Sequence, residues 1–241
     1  ITLGLSVNDP RLFQGVSVWH KPWKFQISTV LYWWSLAWFI SYLGPTEQFS
    51  WNRRFIVWMS LIAGLFEVVY ISWQGAFGLA SHYNTSSPFN TMMYYVMCVM
   101  ALLFLISIFV ITFSFFRQRK IKLSQHYTWG IRMGLAIFCL SLLVGMLMVV
   151  LGKHSIGGPD GRKGLHFLNW RKKYGDLRVS HLMGLYSLQI IPLLSYYWFK
   201  TKLQVLAFSF LYLVVFQEAF LKIFQGFFRH LLTLNFVLSY Q

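Results

Sequence analysis

Acidic residues are scarce in this chain, six in 241 against 21 lysines and arginines, and charged residues of both signs make up only 11%. The charged outward stripes that a soluble helical bundle shows at helical spacing are missing. Cysteine is nearly absent as well. Cys98 and Cys139 both fall in apolar runs, so they say nothing about redox compartment and read as small buried hydrophobes. There is no Cys-x-x-Cys, no His-Glu-x-x-His and no other compact metal-binding spacing, and no metal ligand set is assigned. The segment Ser155 to Gly164, SIGGPDGRKG, is turn-forming but lacks the Gly-Lys-Ser/Thr ending of a phosphate loop. The formal charge of +15 comes without any zinc, RNP or helical reader signature, so no nucleic-acid partner is expected. The chain begins at Ile1, and its lack of a leader is uninformative.

What the chain does have is apolar surface, at 57% hydrophobic and 20% aromatic residues. That is a membrane composition. Six apolar runs cover Phe25 to Leu43, Phe55 to Ala76, Met92 to Phe115, Tyr127 to Leu151, Val179 to Phe199 and Leu203 to about Phe227. At 1.5 Å per residue, about 20 residues cross a roughly 30 Å hydrocarbon core. Lipid leaves open sheet edges and bare amides unsatisfied, so the expected fold is all-α: a single integral membrane bundle of about six transmembrane helices spanning residues 1–241. Trp19, Trp23, Trp51, Trp129 and Trp198 near the run ends read as interface anchors. Basic residues cluster at the same ends, where anionic lipid headgroups attract them, so membrane lipids are expected partners.

With the N-terminus on side A, the connectors near Gln48, Lys120 and Thr201 lie on side B and carry eight basic residues against the lone acid Glu47. The side A connector, residues 78–91, has no charged residue. This favours side B as cytoplasmic and residues 78–91 and 152–178 as extracytoplasmic. The basic residues Lys153, Arg162, Lys163, Arg171, Lys172, Lys173 and Arg178, with Arg11, Lys21 and Lys24 near the N-terminus, argue in the opposite direction.

Two glutamates interrupt the apolar runs, Glu67 in the second and Glu218 in the sixth, and each is followed seven residues later by Gln-Gly, at Gln74-Gly75 and Gln225-Gly226. A carboxylate at that depth is costly unless neutral, paired or wet. Gly64, Glu67, Ile71, Gln74 and Gly78 share one helical face, where small residues permit close helix approach. Glu218 precedes Lys222 by one turn, so a local ion pair explains it, whereas Glu67 has no cation one turn away. Both helices cross in the same direction, so the two acids could face each other across one cavity. A three-helix repeat would pair the second run with the fifth, which has no acid. The shared spacing therefore reads as coincidence.

Side A supplies the remaining polar candidates. His82 and Asn84 follow the second run, and Asp176, Arg178 and His181 lead into the fifth. Asp176 is also placed to cap that helix. Arg132, between Gly130 and Gly134, is shallow enough to snorkel toward side B headgroups, which favours an anchoring role. All the histidines except His126 fall toward side A, and only His181 is even moderately deep, which argues against a two-haem core.

Three functional readings follow. One is proton-coupled transport or binding of a small solute, with Glu67 as the proton site and Gln74 and Gln225 as hydrogen-bonding groups. The second is a non-catalytic subunit or assembly factor of a membrane complex, holding lipid, pigment or haem and contacting membrane-protein partners. The third is a membrane-embedded enzyme with His82 or His181 as proton acceptor and Glu67 as donor. No nucleophile or cofactor is identified for it.

The segments Trp19-His20-Lys21-Pro22-Trp23-Lys24-Phe25, Glu67 through Gln74, Ser81-His82-Tyr83-Asn84 with Pro88, Gly158-Pro159-Asp160-Gly161, Leu168-Asn169-Trp170 and Gly175-Asp176-Leu177-Arg178 with His181 occur in that order along most of the chain. In them the chain resembles a family of functionally uncharacterised bacterial polytopic inner-membrane proteins. The resemblance implies a common site of Glu67, Gln74, His82, Asn84, Asp176, Arg178 and His181, and a bacterial inner-membrane location. This sequence departs from the family pattern at Ala76-Phe77 and at the bulky Tyr186, which implies a somewhat different ligand or partner surface.

Overall fold

The computed structural model describes residues 2–44, 51–118, 121–156 and 175–238, with the side chains of Asn52 and of residues 222–238 outside that description. Helices carry nearly all its regular structure: α1 (Thr2–Asn8), α2 (His20–Ser41), α3 (Trp51–Ala76), α4 (Pro88–Arg117), α5 (Gln125–Leu151), α6 (Leu177–Tyr197) and α7 (Lys202–Leu238). Five of these, α3 to α7, contain stretches long and apolar enough to cross a membrane. The remaining apolar run, Phe25 to Leu43, falls on α2, which packs along α3.

Helix ends follow local chemistry. Ser87 caps α4 by accepting from the Asn90 amide at 3.2 Å, with Pro88 at the first helical position, where its missing N–H leaves nothing unpaired. Asp176 caps α6 through the Arg178 amide at 3.1 Å. Gly78, at φ 67°, ends α3 in the left-handed region that a side chain would resist.

Two short ladders fix the side A ends. Leu12–Phe13 (β1) pairs with Val16–Ser17 (β2) across Gln14 and Gly15, both at positive φ as a two-residue hairpin of this twist requires. Asp9 then accepts from Arg11 at 2.6 Å and from the Trp19 indole at 2.7 Å, while Arg11 also donates to the Ala76 carbonyl at 2.8 Å. This clasp holds the start of α2 against the end of α3. Ser155–Ile156 (β3) pairs with Gly175–Asp176 (β4) and delivers Asp176 to the head of α6.

Close backbone approach holds the bundle together. A Cβ at Gly130 would collide with Ser195 and one at Gly184 with Ser141, so α5 and α6 pack at small residues. Gly64 and Gly75 receive Trp33 and Pro22 of α2 in the same way. The interior is aliphatic and aromatic, with Phe39, Ile108, Phe115, Ile131, Leu135 and Leu188 almost fully buried. Large apolar side chains such as Trp34, Trp58, Phe113 and Phe210 face outward, as hydrocarbon solvent permits. Membrane insertion accounts for both surfaces.

Candidate polar site at the side A end of the bundle

Glu67 lies nine residues before the end of α3, roughly 14 Å down the helix axis. One of its carboxylate oxygens, Oε2, is buried with no hydrogen-bond partner. Its charge acts on Lys21 of α2 and on Cys98 of α4, so it faces the space between those helices. The register is antiparallel: Gly75 meets Pro22, Ser72 accepts from Gln26 at 3.1 Å, and Gly64 meets Thr29 and Trp33.

Above Glu67, the Lys21 amine donates to Ser81 Oγ at 2.6 Å and lies 2.9 Å from His82 Nδ1. An ammonium only donates, so Nδ1 accepts and the ring proton is assigned to Nε2. Ser81 Oγ is itself 3.1 Å from Nδ1, closing a triangle of three polar atoms. Burial, helped by the Lys21 charge, holds His82 well below the ordinary histidine range, so the ring is neutral at neutral pH. Burial also lowers the proton affinity of the Lys21 amine, Glu67 raises it and Arg178 lowers it further. Lys21 is an exposed residue, so solvent screens these charges.

Gln74 is 2% exposed and belongs to an adjoining amide chain. Its Nε2 donates to Tyr70 Oη at 2.7 Å and to Asn90 Oδ1 at 2.9 Å, and Asn90 Nδ2 donates to Ser86 Oγ at 3.1 Å. Ser86 in turn donates to Asn84 Oδ1 at 2.7 Å, and Asn84 Nδ2 reaches the Ala80 carbonyl at 2.9 Å. Gln74 Oε1, like Glu67 Oε2, is buried without a hydrogen-bond partner. No protein-family model, curated protein or solved structure matches the chain.

Asp176 is buried and densely bonded. Arg178 donates to its two oxygens at 2.9 and 2.7 Å, and His154 Nδ1 approaches at 3.8 Å. The Arg178 charge reaches Lys21 and Lys24, so the head of α6 adjoins the Lys21 mouth. His181 is engaged elsewhere: its Nδ1 bonds the Ser141 carbonyl at 2.7 Å, Ser141 Oγ returns a bond to the His181 carbonyl at 2.9 Å, and the ring packs on Gly145. That exchange joins α5 to α6.

Arg132 donates to the carbonyls of Phe115 and Gln118 at 3.0 and 2.9 Å, closing the C-terminal end of α4, and its guanidinium lies over the Trp129 ring. Glu218 is exposed on α7, whereas Glu67 faces the α2 and α4 side. The Lys222 and Gln225 side chains, and the segment with Asn169, lie outside the described residues.

Thus Lys21 electrostatically links Glu67, His82 and Arg178, while Gln74 and Asn84 share one hydrogen-bond chain. Lys21, Ser81 and Asn90 are the additions that spacing within one helix does not reveal. Lys21 stands in the Trp-His-Lys-Pro-Trp segment just before an apolar run on the same membrane side, and that is its sequence signal. Two surface grooves near α3 and α4, one lined by Leu65, Val69, Trp73 and Phe89 and one by Thr85, Ser87, Thr91 and Tyr95, do not include Glu67. Among the described residues, no three His, Cys, Asp or Glu side chains converge to hold a metal ion.

Proposed function

We propose that the chain is a six-span bacterial inner-membrane protein, with α2 as the sixth span, in which reversible protonation of Glu67 is coupled to binding or passage of a small solute from side A. Residues 78–91 and 152–178 are then extracytoplasmic, and membrane lipids cover the outward apolar faces. The observation that carries this reading is the buried Glu67 Oε2 with no hydrogen-bond partner. Buried polar atoms are nearly always satisfied, and an acid at membrane depth is retained chiefly where a proton, water or solute donor must engage it. Lys21, Ser81 and His82 supply a polar route between that oxygen and side A.

The test is proton movement into proteoliposomes under an imposed pH gradient, read by an entrapped pH-sensitive dye. Wild-type protein should move protons faster than empty vesicles, and Glu67→Gln should lose at least tenfold of that increment while remaining folded. Unchanged movement in the folded variant overturns the proton role.

A further inference from the structure

Lys21 is in the first turn of α2, where the positive end of the helix dipole disfavours a cation, so capping does not account for it. Its amine turns instead toward Ser81 and His82, and Glu67 lies below on the neighbouring helix. The register of Pro22 on Gly75 and Thr29 on Gly64 sets Lys21 about eight residues, roughly 12 Å, above the level of Glu67. The Lys21 amine leans into that interval, 5.7 Å over the Phe25 ring one turn along α2, and Lys21 and Glu67 act electrostatically on each other.

We propose that Lys21 is the proton-exchange partner of Glu67, with Ser81 and His82 as the cradle that holds its amine and passes the proton to side A. The inference rests on the proton role given to Glu67 above. In the step, the Lys21 ammonium gives a proton to His82 Nδ1 as His82 Nε2–H releases one toward side A, leaving a neutral amine and a neutral ring. The Glu67 carboxyl then releases its proton through intervening water to that amine, leaving a carboxylate and an ammonium. The reverse sequence reloads Glu67.

The surrounding groups set the direction of this exchange. From α6 the Arg178 charge, already matched by Asp176, favours loss of the Lys21 proton. Lys24, one turn along α2, adds positive charge at the same mouth, and Cys98 on α4 faces the Glu67 end. The Glu67 carboxylate is the acid that favours the Lys21 ammonium, so the two groups sense each other's protonation state.

The full chain in proteoliposomes is treated with an amine-acylating reagent across a pH series, and modification of Lys21 is quantified by peptide mass spectrometry against Lys24. Only the neutral amine reacts. Glu67→Gln removes the charge that holds the Lys21 proton, so the pH at which Lys21 reaches half-maximal labelling should fall by about half a unit relative to the wild type. Equal midpoints in the two proteins overturn the pairing, whether or not protons are found to move. Lys21→Arg keeps a cation that does not give up its proton, and should lower proton movement at least tenfold while Lys24→Arg leaves it unchanged. Glu67-dependent movement that survives Lys21→Arg would leave the role of Glu67 standing and remove Lys21 from it.

Discussion

Asp176 and Glu67 are both carboxylates in the side A half of the bundle, and their surroundings are opposites. Asp176 receives two guanidinium bonds from Arg178 and one from the Arg178 amide, with His154 close by, so its charge is matched and its position fixed. Glu67 keeps one oxygen with no hydrogen-bond partner, and the cation that senses it is bonded to Ser81 and His82 instead. A matched carboxylate is an architectural group. A buried, unmatched one calls for a functional explanation.

The comparison breaks most readily at Asp176. Asp176→Ala removes the α6 cap and strands a partly buried guanidinium, and should cost about 3 kcal/mol of stability, less than a fully buried pair because Arg178 is 28% exposed. Thermal unfolding in detergent reads this directly. Glu67→Gln in the same assay should change stability by less than about 1 kcal/mol, because the amide replaces a charge that has no matching bonds. Equal losses in both variants would erase the distinction between the two acids.

A smaller effect is expected at Gln74, whose face on α3 continues that of Glu67. Gln74→Ala deletes its bonds to Tyr70 and Asn90 and should cost about 2 kcal/mol. Gln74→Glu sharpens the point, since a carboxylate lacks the donors both partners use there and should be worse tolerated than at position 67.

The smallest effect is a pH dependence. His82 has its proton affinity lowered by burial and by Lys21, so the unfolded chain binds a proton more readily than the folded one. Stability should therefore decline as pH falls through the ordinary histidine value near 6.5, by less than about 1 kcal/mol for this partly buried ring. Comparing unfolding temperatures at pH 7 and pH 5 checks it, and His82→Gln should flatten the difference.

Much of this is legible in the sequence. The apolar runs have the length of membrane helices, and five of them lie on helices that meet that length and composition in the structure. Helical periodicity placed Glu67 and Gln74 on one face, and the capping position of Asp176 followed from a carboxylate just ahead of an apolar run. Lys21 was not legible as a member of the Glu67 site. It stands 60 residues from Ser81 along the chain, and only the antiparallel register of α2 on α3 brings them together. The bond between His181 and the Ser141 carbonyl was hidden for the same reason, because a backbone acceptor on another helix leaves no mark in the sequence. Glycine spacing did carry over, since Gly130 and Gly134 admit α6 at close range.

The clasp of Asp9, Arg11 and the Ala76 carbonyl has a consequence for the order of assembly. Arg11 emerges from the ribosome 65 residues before the carbonyl it binds, so the N-terminal hairpin cannot be fastened to α3 until that helix is complete. The leading end of α2 is therefore not fastened to α3 until then, and Lys21 reaches Ser81 and His82 only after the chain has turned beyond Gly78. The Lys21 contacts thus close after the N-terminal hairpin but before Asp176 and Arg178 at the head of α6 have been made.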